Sequence, residues 1–356
     1  MRPSSRTVLF ALVTLVALTL AACGRATSTP ASAPTAAPAS RTVIIGYSAP
    51  GLVGAQLDIQ HSLEDHAKAK GWQLITTTSG GDAQKQVEQI KNFLDLGVSA
   101  IVAVPDDSKG ICAAAAAAKQ AGVPFYTIDR SPEGCAIDMA VLADNYLAGQ
   151  QSAEALVAFL TARYGEPRGT VLEITGNMAQ NVARLRGSGF RDALASHAGV
   201  QVVTEQADWD TAKGAAVVAA ALSAYPKLDA IYMHSDAVYM PGTLDVLREG
   251  GRLLKRGEEG HIFLAGVDGS ADGVQAIKDG WADQVSNQPI PDFGIVADWI
   301  ERQLQGEAAT EGEVVREGAL WSPAHIKLSD VGPQLFLATT SVTEANMNDP
   351  GLWANQ

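Results

Sequence analysis

The chain has 356 residues, 39 Asp and Glu against 26 Lys and Arg, and a formal charge of -13. An acidic chain with no long basic run lacks the electrostatic footprint that a phosphate backbone requires, which argues against nucleic acid as a partner. With 47% hydrophobic and 18% charged residues it is globular, and its length favours two domains, each large enough to bury a core.

Arg2 and Arg6 precede an apolar run at residues 8–22. That run is long enough for a signal-peptide core but short of the roughly 20 residues of a membrane-spanning helix. Residues 1–22 therefore read as a leader, to be removed. Residues 23–41 hold Pro30, Pro34 and Pro38 and almost nothing apolar beyond Ala, so they read as a disordered tether. The text Leu20, Ala21, Ala22, Cys23 resembles the lipobox of bacterial lipoproteins. This implies a diacylglyceryl group on Cys23 and a working part outside the cytoplasm, held to the membrane by the anchor alone.

Beyond the tether, short β-rich runs alternate with helical stretches, the pattern of parallel sheets covered by helices. Strands are expected at residues 42–47, 72–77, 100–104 and 125–128, with helices at 56–70, 83–96 and 111–121 between them. The series then restarts: strands at 170–174, 200–205, 230–233 and 262–267, helices at 184–195 and 211–225. Local text repeats with it, since GWQLITTT answers GVQVVTEQ and VSAIVAVPDD answers LDAIYMHSD. The fold class is thus α/β, two doubly wound parallel-sheet lobes with a ligand cleft between them. A helix at 292–304 is expected to return the chain to the first lobe before last strands at 319–337. The lobes are expected to span 42–143 plus 289–318 and 144–288 plus 319–340, with a tail at 341–356.

Cys112 opens a helix and Cys135 follows the next strand. In an oxidising compartment they are expected to form a disulfide, two separate buried thiols being the alternative.

Motifs for phosphate loops, nucleophile elbows and zincins are absent, and no G-x-G-x-x-G follows the first strand. No enzyme activity, cofactor or metal is expected. His61 and His66 are five apart, the wrong spacing for two ligands on one helix face, and the pair Asp106 and Asp107 reads as a loop or helix start. Open α/β sheets bind ligands at the carboxyl ends of their strands. The polar and aromatic residues there are Ser48, Asp106, Asp129, Arg130, Arg184, Arg186, Trp209, Ser235, Asp236, Asp268 and Gln288. Arg and Asp can grip neighbouring hydroxyls bidentately and Trp offers a flat face to ring C–H groups, a set that fits a sugar. Arg184 and Arg186 alternate at a helix start; Arg186 is favoured for the cleft and Arg184 for a surface ion pair.

The ordered segments TIDRS at 127–131, LADN at 142–145, ARLRGSGF at 183–190, ADWD at 207–210 and GVDGS at 266–270 carry a resemblance. They are similar to the ribose-binding type of periplasmic sugar-binding protein, the type I solute receptors of ABC importers. The resemblance implies ligand contacts from Asp129 and Arg130, Arg186, Trp209, Asp268 and Gln288, to which Ser48 and Ser235 are added as strand-end candidates. It implies a monomer that closes its lobes on a monosaccharide or sugar-like ligand and delivers it to a permease. The alternative is a receptor for a sugar, polyol or autoinducer coupled to a signalling partner. One departure stands out. After the first strand the family places Asn and aromatics as a stacking wall, whereas here the text is Ser48, Ala49, Pro50, Gly51, Leu52, Val53 and Gly54.

Overall fold

The computed structural model describes residues 42–356, so the leader at 1–22, Cys23 and the tether at 23–41 lie outside the described residues. The described chain forms one compact unit. It begins β1 (Ile44–Ala49), α1 (Ala55–Ala69), β2 (Gln73–Thr78), α2 (Ala83–Asp95), β3 (Ala100–Ala103), α3 (Cys112–Ala121), β4 (Phe125–Ile128) and β5 (Met139–Ala143). It crosses to α4 (Asn145–Tyr164), β6 (Gly169–Thr175), α5 (Asn181–Leu194), β7 (Val200–Gln206), α6 (Thr211–Ala224) and β8 (Leu228–Met233). There follow α7 (Asp236–Glu249), β9 (Phe263–Asp268), α8 (Ala271–Lys278) and β10 (Gln284–Asn287). A 3-10 turn (Ile290–Ile295) and α9 (Val296–Leu304) precede β11 (Gly312–Val314), β12 (Ala324–Ser329), β13 (Gly332–Leu337) and β14 (Thr340–Val342).

Two sheets result, an eight-stranded one ordered β11-β12-β13-β5-β4-β3-β1-β2 and a six-stranded one ordered β14-β10-β9-β8-β6-β7. The expected strands and helices fall within a few residues of these elements. One boundary is corrected. Residues 319–340 were expected in the second lobe, yet β12 pairs with β13, and β13 runs parallel to β5 in the first sheet. The reason is packing: Trp321, Ala324, Leu335 and Leu337 are buried in the same core as Tyr126, Val141 and Ile300. Only β14, antiparallel to β10, and the tail carrying Leu352 belong with the second sheet.

Strand parity decides which side chains each core receives. Ile45, Tyr47 and Ala49 point to the core under α1 and α9. Gly46 and Ser48 point the other way, where a Cβ on Gly46 would lie 2.7 Å from the ring of Phe93 on α2. Helix α2 starts on the side chain of Asp82, which accepts from the amides of Gln84 and Lys85, the usual satisfaction of orphan donors at a helix start. Cys112 and Cys135 are joined in a disulfide that ties the start of α3 to the loop after β4. No helix among the described residues is long and apolar enough to cross a membrane.

Candidate functional site

The chain passes between the lobes after β5, after β10 and before β14, and the carboxyl ends of β1, β4, β8 and β9 open into the cleft so formed. The cleft has a volume of about 640 Å³ and is lined by Asp129, Arg130, Arg186, Trp209, Ser235, Asp268 and Gln288 together with Gln56, Asp106 and Gln180. Such a volume lies in the range of ordinary small-molecule sites. Seven of the eight expected ligand residues therefore meet in one place.

Ser48 does not. It is fully buried and faces α2, where Gln86 Nε2 donates to its hydroxyl at 3.4 Å. The period of two along β1 puts it on the same side as Gly46, behind the sheet's cleft end. Gln86 also donates to the Val104 carbonyl and accepts from the Asp106 amide, both at 2.9 Å, so the pair holds the loop after β3 in place.

The second lobe's wall is built around Arg186. Helices α4 and α5 touch so closely that a Cβ on Gly189 would lie 2.0 Å from the Tyr146 carbonyl oxygen, and one on Gly149 would lie 2.2 Å from that of Arg186. That contact brings the first turn of α4 to Arg186. Its Nε donates to Asn145 Oδ1 at 2.8 Å and its Nη1 lies 3.0 Å from Asp268 Oδ1. It also donates to the His234 carbonyl. Ser235, the cap of α7, donates to the other oxygen of Asp268. Gln288 sends its Nε2 to the same Asn145 oxygen at 2.9 Å. Asn145 thus aligns two cleft residues from behind without lining the cleft itself.

Trp209 lies over Gly176, where a Cβ would sit 1.9 Å from the indole, so only glycine admits the ring there. Its Nε1 donates to Gln180 at 2.6 Å, and Gln180 in turn donates across the cleft to the Asp106 carbonyl at 3.1 Å. In the first lobe Asp129 accepts from Gln56 at 2.9 Å and lies 3.6 Å from Arg130, which donates to the Pro105 carbonyl at 3.0 Å. Arg184 forms an ion pair with Glu133 at the cleft edge, joining the lobes. So do the amide of Ser131 on Asn181 Oδ1 at 3.1 Å and the amide of Asn181 on Ser108 Oγ at 2.9 Å. In this conformation the lobes are drawn together.

Two features single out this cleft. All four non-glycine residues with positive φ among the described residues, Asp129, Asp208, Trp209 and Asp268, line it. Such backbone costs on the order of 1–3 kcal/mol per residue and gathers at functional sites. Four of its buried polar atoms also make no hydrogen bond within the protein: Gln56 Oε1, Asp106 Oδ1, Arg130 Nε and Gln288 Oε1. Burial pushes the Asp106 carboxyl up, against the Ser79 hydrogen bond and the nearby Arg130. Asp268 is likewise raised by burial, with Arg186 pulling down and Asp129 pushing up. Arg130 is lowered by burial, countered by Asp129 and Asp106. Asp236 lies beneath, accepting from the amides of Gly269 and Ser270, and burial beside Asp268 takes it up to about 7.

Gln56, Gln180 and Asn145 were not among the expected ligand residues. Asn145 carried a signal, since it follows β5 where the chain changes lobes; Gln56 and Gln180 read as ordinary helix-end polar residues. Among the described residues no cluster of His, Cys, Asp and Glu could hold a metal.

Residues 46–308 match the periplasmic binding protein domain family. The ribose import binding protein of Bacillus subtilis (strain 168) is 31% identical over 224 residues, covering 63% of this chain and 68% of that protein. A Mycobacterium smegmatis ABC transporter solute-binding protein with bound glycerol superposes with a TM-score of 0.72 at 25% identity, over 86% of this chain and 96% of that one. A Bacillus halodurans C-125 counterpart with bound myo-inositol gives a TM-score of 0.74 at 19% identity, over 88% and 99% of the two chains. The chain belongs to the ribose-type periplasmic sugar-binding proteins, extracytoplasmic solute-binding components of ABC importers and not enzymes.

Proposed function

We propose that the protein is a lipid-anchored monomeric receptor that captures a monosaccharide or sugar-like ligand by lobe closure and delivers it to a membrane permease. The observation that carries this reading is the set of unpartnered polar atoms of Gln56, Asp106, Arg130 and Gln288 in the cleft, among neighbours held on strained backbone. A polyhydroxylated ligand supplies donors and acceptors to just such groups. Asp129 and Arg130 would hold hydroxyls from the first lobe, Arg186, Ser235 and Asp268 from the second, with Gln288 at the crossing and Trp209 against the ring face. Names and bound molecules of relatives, ribose import, glycerol and myo-inositol, point to the same chemistry.

Closure follows from differential contact. A ligand that touches both walls binds the closed state more tightly than the open one and shifts the population by that difference. The direct cross-lobe bonds of Gln180, Asn181 and Arg184 assist it. No aromatic stands on the first wall, where Pro50, Val53, Gly54 and Ile59 lie instead, so Trp209 would stack alone. The test is titration calorimetry with pentoses, hexoses, 6-deoxyhexoses and polyols on the wild type and on Arg186→Ala. A ligand whose affinity survives Arg186→Ala unchanged does not sit in this cage. Anchoring is checked separately: Cys23→Ser should move the protein from the membrane fraction to the soluble one.

A further inference from the structure

Resting on that reading and narrowing it, we infer that the ligand is a polyhydroxylated molecule bearing one basic amine, an amino sugar or aminocyclitol, and that Asp106 is the counter-ion of its ammonium group. The first ground is the charge count. The cleft is lined by the carboxylates of Asp106, Asp129 and Asp268 and by the guanidinium groups of Arg130 and Arg186. A further carboxylate, Asp208 at the rim, is met by Lys213 at 3.1 Å. Asp268 pairs with Arg186 at 3.0 Å, and Arg130 lies nearest to Asp129 at 3.6 Å. That leaves Asp106 as the carboxylate in excess. It is only 5% exposed, and its one side-chain hydrogen bond comes from the hydroxyl of Ser79.

The second ground is the sense of the unpartnered atoms. Three are acceptors, Asp106 Oδ1, Gln56 Oε1 and Gln288 Oε1, and one is a donor, Arg130 Nε. The amide orientations are forced. Gln56 must turn its nitrogen to the carboxylate of Asp129, which leaves its oxygen free. Asn145 must turn its nitrogen to the Ala143 carbonyl and its oxygen to Arg186, so Gln288 presents nitrogen to that oxygen and keeps its own oxygen free. A hydroxyl brings one donor together with lone pairs, whereas an ammonium brings three donors, no acceptor and a positive charge. An acceptor-rich set with a surplus buried carboxylate is matched better by the second. A buried carboxylate without a cation is costly and takes up a proton instead. The upward push of burial on Asp106 agrees with that. The groups facing it are Ser79, Asp82 and Gln86 from the β2–α2 side, Arg130 after β4 and Gln180 before α5.

The experiment compares matched pairs at pH 7 by titration calorimetry: glucosamine with glucose, galactosamine with galactose, and an inosamine with its inositol, the N-acetyl forms serving as uncharged controls. In the best-bound pair the amine should bind at least tenfold more tightly than both neutral counterparts. The gap should close in Asp106→Asn, and the amine's advantage should fade as pH rises past its own ammonium pKa. Hydroxyl members binding as tightly as the amines would overturn the inference while leaving the sugar-receptor reading in place. A tenfold gap that persists in a folded Asp106→Asn variant would overturn the role of Asp106. Absence of binding by every amine and every neutral sugar or polyol would overturn both.

Discussion

Asn145→Ala removes a side chain that does not line the cleft, yet it should weaken binding. One oxygen of Asn145 receives Arg186 Nε at 2.8 Å and Gln288 Nε2 at 2.9 Å, and both of those residues line the cleft. Truncation leaves two buried donors unpaired, each worth about 1–3 kcal/mol and more when charged. Arg186 keeps Asp268 and the His234 carbonyl, which holds its cation paired and places the total at roughly 2–4 kcal/mol. Part of that should appear as lost stability in urea unfolding and part as affinity in calorimetry, the latter at least tenfold, or about 1.4 kcal/mol. Asn145→Asp keeps the acceptor for Arg186 and Gln288 but turns an oxygen toward the Ala143 carbonyl, so it should recover part of the affinity lost in Asn145→Ala, which separates alignment of the cage from general damage. Affinity and stability of Asn145→Ala both within twofold of wild type would refute the reasoning.

Asp268→Ala should weaken binding by about 2–4 kcal/mol, since it strands the buried Arg186 and Ser235; an unchanged dissociation constant in calorimetry would count against that placement. Asp236 has its carboxyl raised to about 7 in the fold, so the folded state holds a proton that the unfolded chain has released above about 4. Its contribution to stability is therefore lost as pH rises through that window, and unfolding free energy should still be declining between pH 6.5 and 8. Buried His234 has its pKa lowered, which gives the opposite slope, but only below its ordinary value near 6.5. Asp236→Asn should flatten the upper decline, and a wild-type slope in that variant would exclude Asp236 as its source. Replacing Cys112 and Cys135 by Ser opens a link between residues 23 apart in sequence, which should cost about 2–4 kcal/mol of unfolding free energy in denaturant titration.

The repeat of strand and helix was legible because each strand is a short apolar run and each helix a longer amphipathic one. The ends of strands were legible for the same reason, which is how the sequence groups Asp129, Arg130, Trp209, Ser235 and Asp268 as candidates. Ser48 was misplaced because its face depends on the parity of β1, and a strand buried on both sides shows no alternation from which to read it. The strands β12 and β13 were put in the wrong lobe because their partner is chosen by packing against β5 and Trp321, contacts distant in sequence. Asn145 is legible only as a crossover residue, and Gln56 and Gln180 look like solvated helix-end residues, since an amide gains its meaning only from the partners that burial brings to it. The positive φ values of Asp129, Asp208, Trp209 and Asp268 leave no trace in residue type, except that Asp is among the residues that tolerate them.

Everything proposed for this protein requires its cleft to close on a polyhydroxylated small molecule. The most direct measurement is the thermal melting of the purified protein against neutral sugars, polyols and their amino counterparts. A ligand present at 100 times its dissociation constant should add about 2.7 kcal/mol, which appears as a clear rise in melting temperature that Arg186→Ala abolishes. A panel of polyhydroxylated molecules that leaves the melt unmoved, while some unrelated solute raises it, would show that the cleft serves another kind of ligand.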